Sequence, residues 1–436
     1  MNNSQEFGGS ISLTANINSK AGMLSSFKNP TGAINEFTYE PNQFNFYGET
    51  IDGGGVRIQK QTIKESNNTV KEYTYEYLDE DGKASGSINN IPKFSDIVKT
   101  KHNNKVLTLN YLRSKGNIEL TDGSYVGYSR IIQRENGKGH IVLKYSSPKD
   151  FINLYPSTSS LVDIPKNSSY PSGIFVDQNI KRGKLLENSV YDNLNNILSR
   201  DMYSYEERIY REYNNLFKKT FINSFTVGTS GISGTIYNFS IPVKENNYLL
   251  KSKIEEKYYN SKIVSQTKNY FYENVNNNFL TKETTINADN NQYKKVYQYP
   301  QDLRHGDQPQ QNIAPYQSLP YMISQNMIGI PLITSNFKNN ILQNRQQITY
   351  EYDPTTILIL PKSSITFAEN QTIMTPSNGY PAVSVPNPSY GLTNVTYDKY
   401  DNRGNIQQYT TKEGIPTAII WGYHSTQPIA KVTGLS

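Results

Sequence analysis

The chain of 436 residues has four imidazoles, His102, His140, His305 and His424, and no cysteine. Metal chemistry needs nitrogen or sulfur ligands at close spacing. None of these histidines has a second one at i+2 to i+5, so the usual zinc spacings are missing. The absence of cysteine removes a thiolate metal site, a thiol nucleophile and a disulfide framework together. His305-Gly306-Asp307 pairs an imidazole with a carboxylate and could serve as a base or a metal ligand. It lies in a stretch rich in Pro, Gln and Asp, where a solvated loop is the simpler reading.

Other motifs fail on context. Gly53-Gly54-Gly55 is followed by Val56-Arg57-Ile58 rather than Lys-Ser/Thr and a helix, so it reads as a turn or bulge entering a strand and not as a phosphate loop. No Gly-x-Ser-x-Gly occurs, and Gly228-Thr229-Ser230-Gly231 is turn material after a strand. The adjacent acids Asp79, Glu80 and Asp81 sit in a turn and do not follow the EF-hand pattern. Asn-x-Ser/Thr at Asn67, Asn167, Asn238, Asn370 and Asn394 is close to chance in a chain of this composition. The expectation is a protein that is not an enzyme, with no catalytic, cofactor-binding or metal-binding residue.

A structural motif stands out instead. Tyr397-Asp398-Lys399-Tyr400-Asp401-Asn402-Arg403-Gly404-Asn405-Ile406, followed by Trp421-Gly422-Tyr423, reads as strand, tight turn, strand. Asp-Asn-x-Gly-Asn supplies residues that tolerate a left-handed backbone or bond their own backbone, as a hairpin turn requires. Tyr400, Asp401, Gly404 and Asn405 are expected to shape the turn, and Trp421 and Tyr423 to pack the following strand. The motif recurs, degraded, at Tyr191-Asp192-Asn193-Leu194-Asn195-Asn196-Ile197, where Asn195 replaces glycine as the residue at positive φ. Tyr272-Glu273-Asn274-Val275-Asn276-Asn277 is another candidate. Looser relatives are Tyr75-Glu76-Tyr77 leading into Asp79-Glu80-Asp81-Gly82, and Tyr350-Glu351-Tyr352-Asp353-Pro354. Period-two alternation places such tyrosines on one sheet face.

Composition agrees. Hydrophobic residues make up 35% of the chain, and 35 of the 436 residues are tyrosine. That leaves too little aliphatic side chain for one thick core, but suits a thin sheet whose tyrosines bury a ring and keep a hydroxyl for water. The net charge of +6 is mild and scattered, and Lys181-Arg182-Gly183-Lys184 is too short for a nucleic-acid stripe, so no nucleic-acid partner is expected. No apolar run reaches the ~20 residues of a transmembrane helix, and Met1-Asn2-Asn3-Ser4 does not open a signal peptide.

Along the chain, residues 1–180 read as a β-sheet segment ending in a Pro- and Ser-rich connection at 146–173. Within it, Phe37–Glu40 and Phe44–Tyr47 read as strands flanking Pro41-Asn42. Residues 181–310 read as longer hairpins. Residues 311–436 begin with a short helix, Leu319 to Ile328, stopped by Gly329 and Pro331, and continue as the Tyr-Asp repeat segment. The fold class is all-β, of antiparallel hairpin repeats with one or two short helices.

The Tyr-Asp-x-x-Gly-Asn pattern, with Trp421-Gly422-Tyr423 and Gln427-Pro428-Ile429-Ala430-Lys431 after it, resembles the YD-repeat or RHS-repeat family, in the form typical of Bacteroidetes. The last forty or so residues carry the resemblance most specifically; Gly53–Ile58 and Asn326–Pro331 add to it. The resemblance implies a β-ribbon spiralling into a hollow shell around another part of a larger polypeptide, often a toxin, on a secreted or cell-surface protein. The family's core motif that closes the shell is not found before Ser436, so a piece of a shell is expected. The partner would be the rest of that polypeptide or its toxin cargo. A different class of reading is a surface adhesin or carbohydrate-binding β-protein whose aromatics stack on sugar rings.

Overall fold

A computed structural model describes residues 17–434 apart from 66–67, 91–94, 103–104, 113–119, 155–175, 226–231, 261, 275–276, 304–317, 354–355 and 369–390, and describes backbone alone over 17–18, 95–102, 105–112, 213–225 and 232–243. His305, Gly228–Gly231, Met1–Ser4, Asn67, Asn167, Asn370 and most of the 146–173 and 300–320 connections therefore lie outside the described residues. The contacts divide the chain into two compact units, Met1–Val264 and Ser265–Ser436.

In the first unit the strands β1 (Ser26–Lys28), β2 (Ile34–Phe46), β3 (Glu49–Glu65) and β4 (Asn68–Glu76) pair antiparallel in sequence order. An insertion follows, with the small pairs β5 (Gly86–Ser87) with β8 (Gly127–Tyr128) and β6 (Ser95–His102) with β7 (Lys105–Leu112). The sheet then resumes as β9 (Arg130–Glu135) beside β4, β10 (His140–Tyr145), β11 (Leu185–Tyr191), β12 (Ile197–Phe225) and β13 (Ile232–Tyr259), each antiparallel to the one before. The second unit is a meander of β14 (Lys262–Phe271), β15 (Lys282–Ile286), β16 (Gln292–Gln298), β17 (Ile333–Lys338), β18 (Ile341–Asp353), β19 (Leu358–Ala368), β20 (Leu392–Tyr400), β21 (Ile406–Thr411), β22 (Pro416–Gly422) and β23 (Gln427–Thr433). Every consecutive pair in it is antiparallel. The expected all-β antiparallel fold is thus present.

The Pro41-Asn42 pair does not separate two strands. β2 runs through it, with a register shift between Pro41 and Gln43, because a bulge accommodates the missing proline N–H. The side-chain amide of Asn42 donates to the Gly54 carbonyl at 2.9 Å and fills that irregularity. Gly53 faces Phe44 and Val126, either of which a Cβ would crowd to 3.2 Å or less, and Gly55 has φ +83°. The triple glycine lies inside β3, opposite the register shift of β2, and not at the entry to a strand as expected; it serves close packing at Gly53 and a positive φ at Gly55.

Register is held largely by polar pairs. Arg200 and Glu256 are register partners and an ion pair at 2.8 Å; Ser204 and Ser252 share a hydrogen bond of 2.6 Å across the same two strands. In the second unit, Asn336 donates to its partner Asn344 at 2.8 Å, Arg345 to Ser335 at 3.0 Å, and Thr349 and Ser363 bond at 2.7 Å. A slip of one residue between two strands would break every such bond across that pair of strands.

The apolar core of the second unit is small. Leu303, Leu319, Met322, Leu332, Ile333 and Ile359 form its buried cluster, flanked by Met327, Tyr350 and Tyr352. The helix α1 (Leu319–Ser324) supplies Leu319 and Met322 to it. It is shorter than the expected Leu319–Ile328. Asn326 takes a left-handed conformation at φ 57°, so the Met327 N–H returns to the Met322 carbonyl at 2.8 Å and the Asn326 N–H to the Ile323 carbonyl at 3.1 Å. This double closure ends the helix before Gly329 and Pro331 can act.

Met322 is fully buried, at 0% exposure. Truncation by Met322→Ala is expected to cost about 2–5 kcal/mol, the range for deleting a buried methionine side chain. Urea unfolding should show a lower midpoint with an unchanged slope; an unshifted midpoint would show that this cluster does not hold the second unit.

Candidate functional site

The repeated feature is a closed five-residue turn. In Asp401–Asn405 the Asp401 N–H donates to the Asn405 carbonyl at 2.9 Å, and the Gly404 N–H donates back to the Asp401 carbonyl at 3.1 Å. Gly404, the fourth residue, has φ 83°. This is the three-residue hairpin loop whose last member is left-handed. Asp192–Asn196 repeats it, with 2.9 and 3.2 Å for the same two bonds and Asn195 at φ 65°, as the sequence suggested for Asn195. Asn29–Ala33, Asp79–Lys83, Asn287–Asn291 and Thr411–Ile415 close in the same way, their fourth residues Gly32, Gly82, Asn290 and Gly414 all at positive φ.

The first residue locks the turn. One Asp401 carboxylate oxygen accepts the Arg403 and Asn405 N–H groups at 2.9 and 2.8 Å, and the other accepts the Asn405 side-chain amide at 2.9 Å. Asp192 receives the matching set from Leu194, Asn196 and the Asn196 amide at 2.8, 2.8 and 2.9 Å. The amide hydrogen bonds hold both carboxyls below the ordinary aspartate value.

Tyr272–Asn277 is not such a turn. The Thr281 N–H returns to the Phe271 carbonyl, and the Glu273 N–H bonds Thr281 Oγ1, so the strands are joined by a broad loop whose Val275 and Asn276 are outside the described residues. The tight turn of that region is Asn287–Asn291. It was missed because Ile286-Asn287-Ala288-Asp289-Asn290-Asn291 has neither the flanking tyrosine nor the glycine; the Asn-Asn pair in fourth and fifth place was the available signal.

The remaining motif residues take different places. Asp398 accepts Thr410 Oγ1 at 2.7 Å, and Tyr397 lies 6.5 Å from Tyr400, ring to ring. The Tyr400 hydroxyl donates to the Pro361 carbonyl on β19 at 2.5 Å, and burial, then Tyr397, push its pKa up. The Trp421 indole N–H donates to the Ile406 carbonyl at 2.8 Å, so Trp421 reaches the strand that follows the Asp401 turn, β21, as expected. Tyr423 is 72% exposed and packs no strand. Gly422 opens a turn in which Tyr423, His424 and Ser425 all have positive φ, 51°, 58° and 63°, closed by the Thr426 N–H on the Gly422 carbonyl at 3.1 Å. The Asp401 turn braces it: Arg403 donates to the His424 carbonyl, and the Asn405 amide donates to the Ser425 carbonyl at 2.9 Å.

The Tyr400 arrangement recurs as a clamp onto the strand before. Tyr77 donates to the Ile58 carbonyl at 2.6 Å, Tyr205 to Leu185 at 3.0 Å, and Tyr299 to Leu280 at 2.8 Å. Tyr77 also stacks under the Arg57 guanidinium, 4.3 Å away, with Tyr128 at 5.4 Å. Arg57 completes its bonding to Glu40 at 2.7 Å and Gln43 at 2.9 Å, so this half-buried arginine is structural. The acids of the Asp79 turn are likewise engaged, Asp79 by Ser129 and Lys149 and Glu80 by Lys144. Among the described residues no three His, Asp or Glu side chains converge as metal ligands.

A shallow groove of about 510 Å³ lies at the end of the first unit's sheet, between the turn Glu135–Gly139 and the turn Asp192–Asn196, lined by Tyr73, Gln133, His140, Ile141, Tyr191 and Asn193 among others. His140 and Tyr191 are register partners whose rings stack 4.7 Å apart and 3° from parallel. Burial, helped by Arg134, lowers the His140 pKa from its ordinary 6.5, so the imidazole is mostly neutral at pH 7.

Gly404→Val forces a β-branched residue to positive φ and brings its Cβ to 3.1 Å from Leu360; the expected loss is about 1–2 kcal/mol, read by urea unfolding. Gly404→Asn should be nearly silent, since Asn195 and Asn290 occupy the same position elsewhere. Equal effects of the two would refute the turn assignment. Because the Asp401 carboxyl is held below its ordinary 3.8, its contribution to stability is present above that pH and is lost as pH falls through the lower folded value. The melting-temperature gap between the wild type and Asp401→Asn should therefore narrow below pH 3.8; a gap that stays constant into stronger acid would contradict this.

Neither a family model nor a curated protein matches the chain. Among solved structures, a crystal structure of TcdB2-TccC3 aligns with 94% of the chain at 8% identity and a TM-score of 0.37. One of TcdB2-TccC3-Cdc42 aligns with 92% at 10% identity and a TM-score of 0.33. The chain spans about a quarter of the length of those proteins, 25% and 24%. The fold class rests on the strand pairing itself.

Proposed function

We propose that this chain is a non-catalytic wall module, part of a repeat-built β-shell that encloses or presents another segment of a larger polypeptide, on a secreted or cell-surface protein. The observation that carries the reading is the closed five-residue turn repeated from Asn29–Ala33 to Thr411–Ile415, joining strands paired in sequence order. Such a device adds strands one after another without a long crossover, so a sheet can grow in one direction for as long as the sequence repeats. The resemblance of Tyr397–Tyr423 to YD repeats supports the same reading.

Packing supports it too. Buried polar side chains are as frequent as buried apolar ones among the described residues, and cross-strand polar pairs set the register. The partner in this reading is the adjoining polypeptide, with a toxin as the cargo that the family resemblance implies.

Limited proteolysis of the full natural polypeptide tests the proposal. The adjoining segment should resist cleavage while the sheet is intact and become sensitive when Gly404→Val and Met322→Ala are combined to loosen it. Cleavage of that segment at the same rate in both forms would defeat the enclosure reading, as would a natural polypeptide with no segment beyond these residues.

A further inference from the structure

We propose that the outer half of the β12–β13 hairpin is a membrane-surface anchor that lays one face of a two-stranded ribbon on an anionic lipid bilayer. The inference is independent of the wall reading, since it concerns one hairpin of the first unit rather than the repeated turns.

The first argument is that this part of the hairpin pairs only with itself. β12 has 29 residues and β13 has 28, and their pairing runs from Ser199↔Lys257 to Phe225↔Ile232. β11 pairs with β12 only as far as Met202. β14, the neighbour of β13, turns back after Tyr259 and has ten residues, too few to reach Val243. Among the described residues, other elements meet the hairpin at its inner half, where Lys181 pairs with Glu207 at 2.7 Å and the Phe151 ring lies 5.8 Å from that of Tyr248.

The second argument is the distribution of charge. The inner half is crossed by ion pairs, Arg200–Glu256 at 2.8 Å and Arg211–Glu245 at 3.8 Å, and Glu212 stands opposite Lys244. One register step further, at Tyr213↔Val243, the pattern stops. From Tyr213 to Val243 there is no acidic residue, and Lys218 and Lys219 are the only basic ones. The outer half is thus purely cationic, which complements an anionic headgroup layer.

The third argument is alternation. Residues paired across the ribbon share a face, and every second residue returns to it. The register therefore puts Phe217 and Phe221 on the same face as Tyr237, Phe239 and Ile241, while Lys218, Thr220, Asn238 and Ser240 take the other. Lys219, opposite Tyr237, stands midway along the aromatic face, and a lysine there is costly at the centre of a bilayer. A two-stranded ribbon also leaves unpaired N–H and C=O groups along both outer edges, which hydrocarbon does not tolerate. Both facts exclude spanning and favour the interface, where water and headgroups satisfy the edges, lysine keeps its charge and aromatic rings are at home. A second copy stacked on this face would instead set one Lys219 face against another of the same charge.

Flotation of the full chain with vesicles tests the anchor, using phosphatidylcholine alone and phosphatidylcholine with about a third phosphatidylserine. The protein is expected to float with the anionic vesicles. Phe239→Ser should weaken binding about tenfold or more, whereas Leu216→Ser, on the opposite face, should leave it nearly unchanged. Lys218→Gln and Lys219→Gln should each cost about fivefold on anionic vesicles. Phe239→Trp keeps the apolar face; its added fluorescence should be quenched by vesicles of brominated phospholipid, and that of Ser240→Trp should not. Absence of flotation with either vesicle would overturn the proposal, as would equal losses in Phe239→Ser and Leu216→Ser. So would a dimer in sedimentation velocity that Phe239→Ser breaks while no vesicle is bound, which would give the face to a second copy.

Discussion

A twisted two-stranded ribbon can reverse direction in three residues only if one of them is left-handed, and this protein meets that constraint the same way many times. The fourth residue of each closed turn is glycine or asparagine, the two types for which positive φ costs least. With the turn closed, the register of the flanking strands follows, and with the register come the cross-strand partners. The Ile286–Gln292 and Thr285–Tyr293 pairs of β15 and β16 stand opposite because the Asn287–Asn291 turn closes between them. Tyrosine clamps such as Tyr205 on the Leu185 carbonyl then tie each strand to its predecessor. In a chain without cysteine, and with a modest share of aliphatic residues, this order of dependence replaces the usual one in which a thick core dictates the register.

One turn departs from the economical solution. Tyr423, His424 and Ser425 are all left-handed and none is glycine, a conformation that persists only where the surroundings over-determine it. Here the surroundings are the neighbouring Asp401 turn, whose Arg403 and Asn405 occupy the His424 and Ser425 carbonyls. A regular turn thus stabilises an irregular one. Asn405 has two roles, since its amide bonds Asp401 on one side and Ser425 on the other. Ile357, at φ 61°, is a second strained position; the Asp353 carbonyl accepts its N–H at 2.8 Å, and a β-branched side chain is unfavourable at positive φ.

What could be read from the sequence follows from range. The Asp401 and Asp192 turns were legible because their chemistry is local: the side chain bonds its own backbone two and four residues on. The antiparallel class was legible from alternation. Asn287–Asn291 was not, because the same geometry is reached there without glycine or tyrosine. The end of α1 was placed too late, since Asn326 resembles an ordinary helix residue until its left-handed angle is seen. The role of Tyr423 was misplaced because it lies past the end of β22 in a left-handed turn that the sequence does not announce. The groove was invisible, as it joins Tyr73 to Tyr191, residues far apart in sequence that only the β4–β9–β10–β11 pairing brings together.

The polar interior also bears on how the molecule interacts with anything it faces. A buried serine or threonine gains little by itself, but an unmet one costs more than a met one returns. The pairs Arg345–Ser335 and Thr349–Ser363 are therefore worth more against misregistered sheets than they are for the correct one. A sheet specified in this way can leave its surface polar without losing its identity, because the information that selects the fold sits in hydrogen-bond matching instead of apolar area.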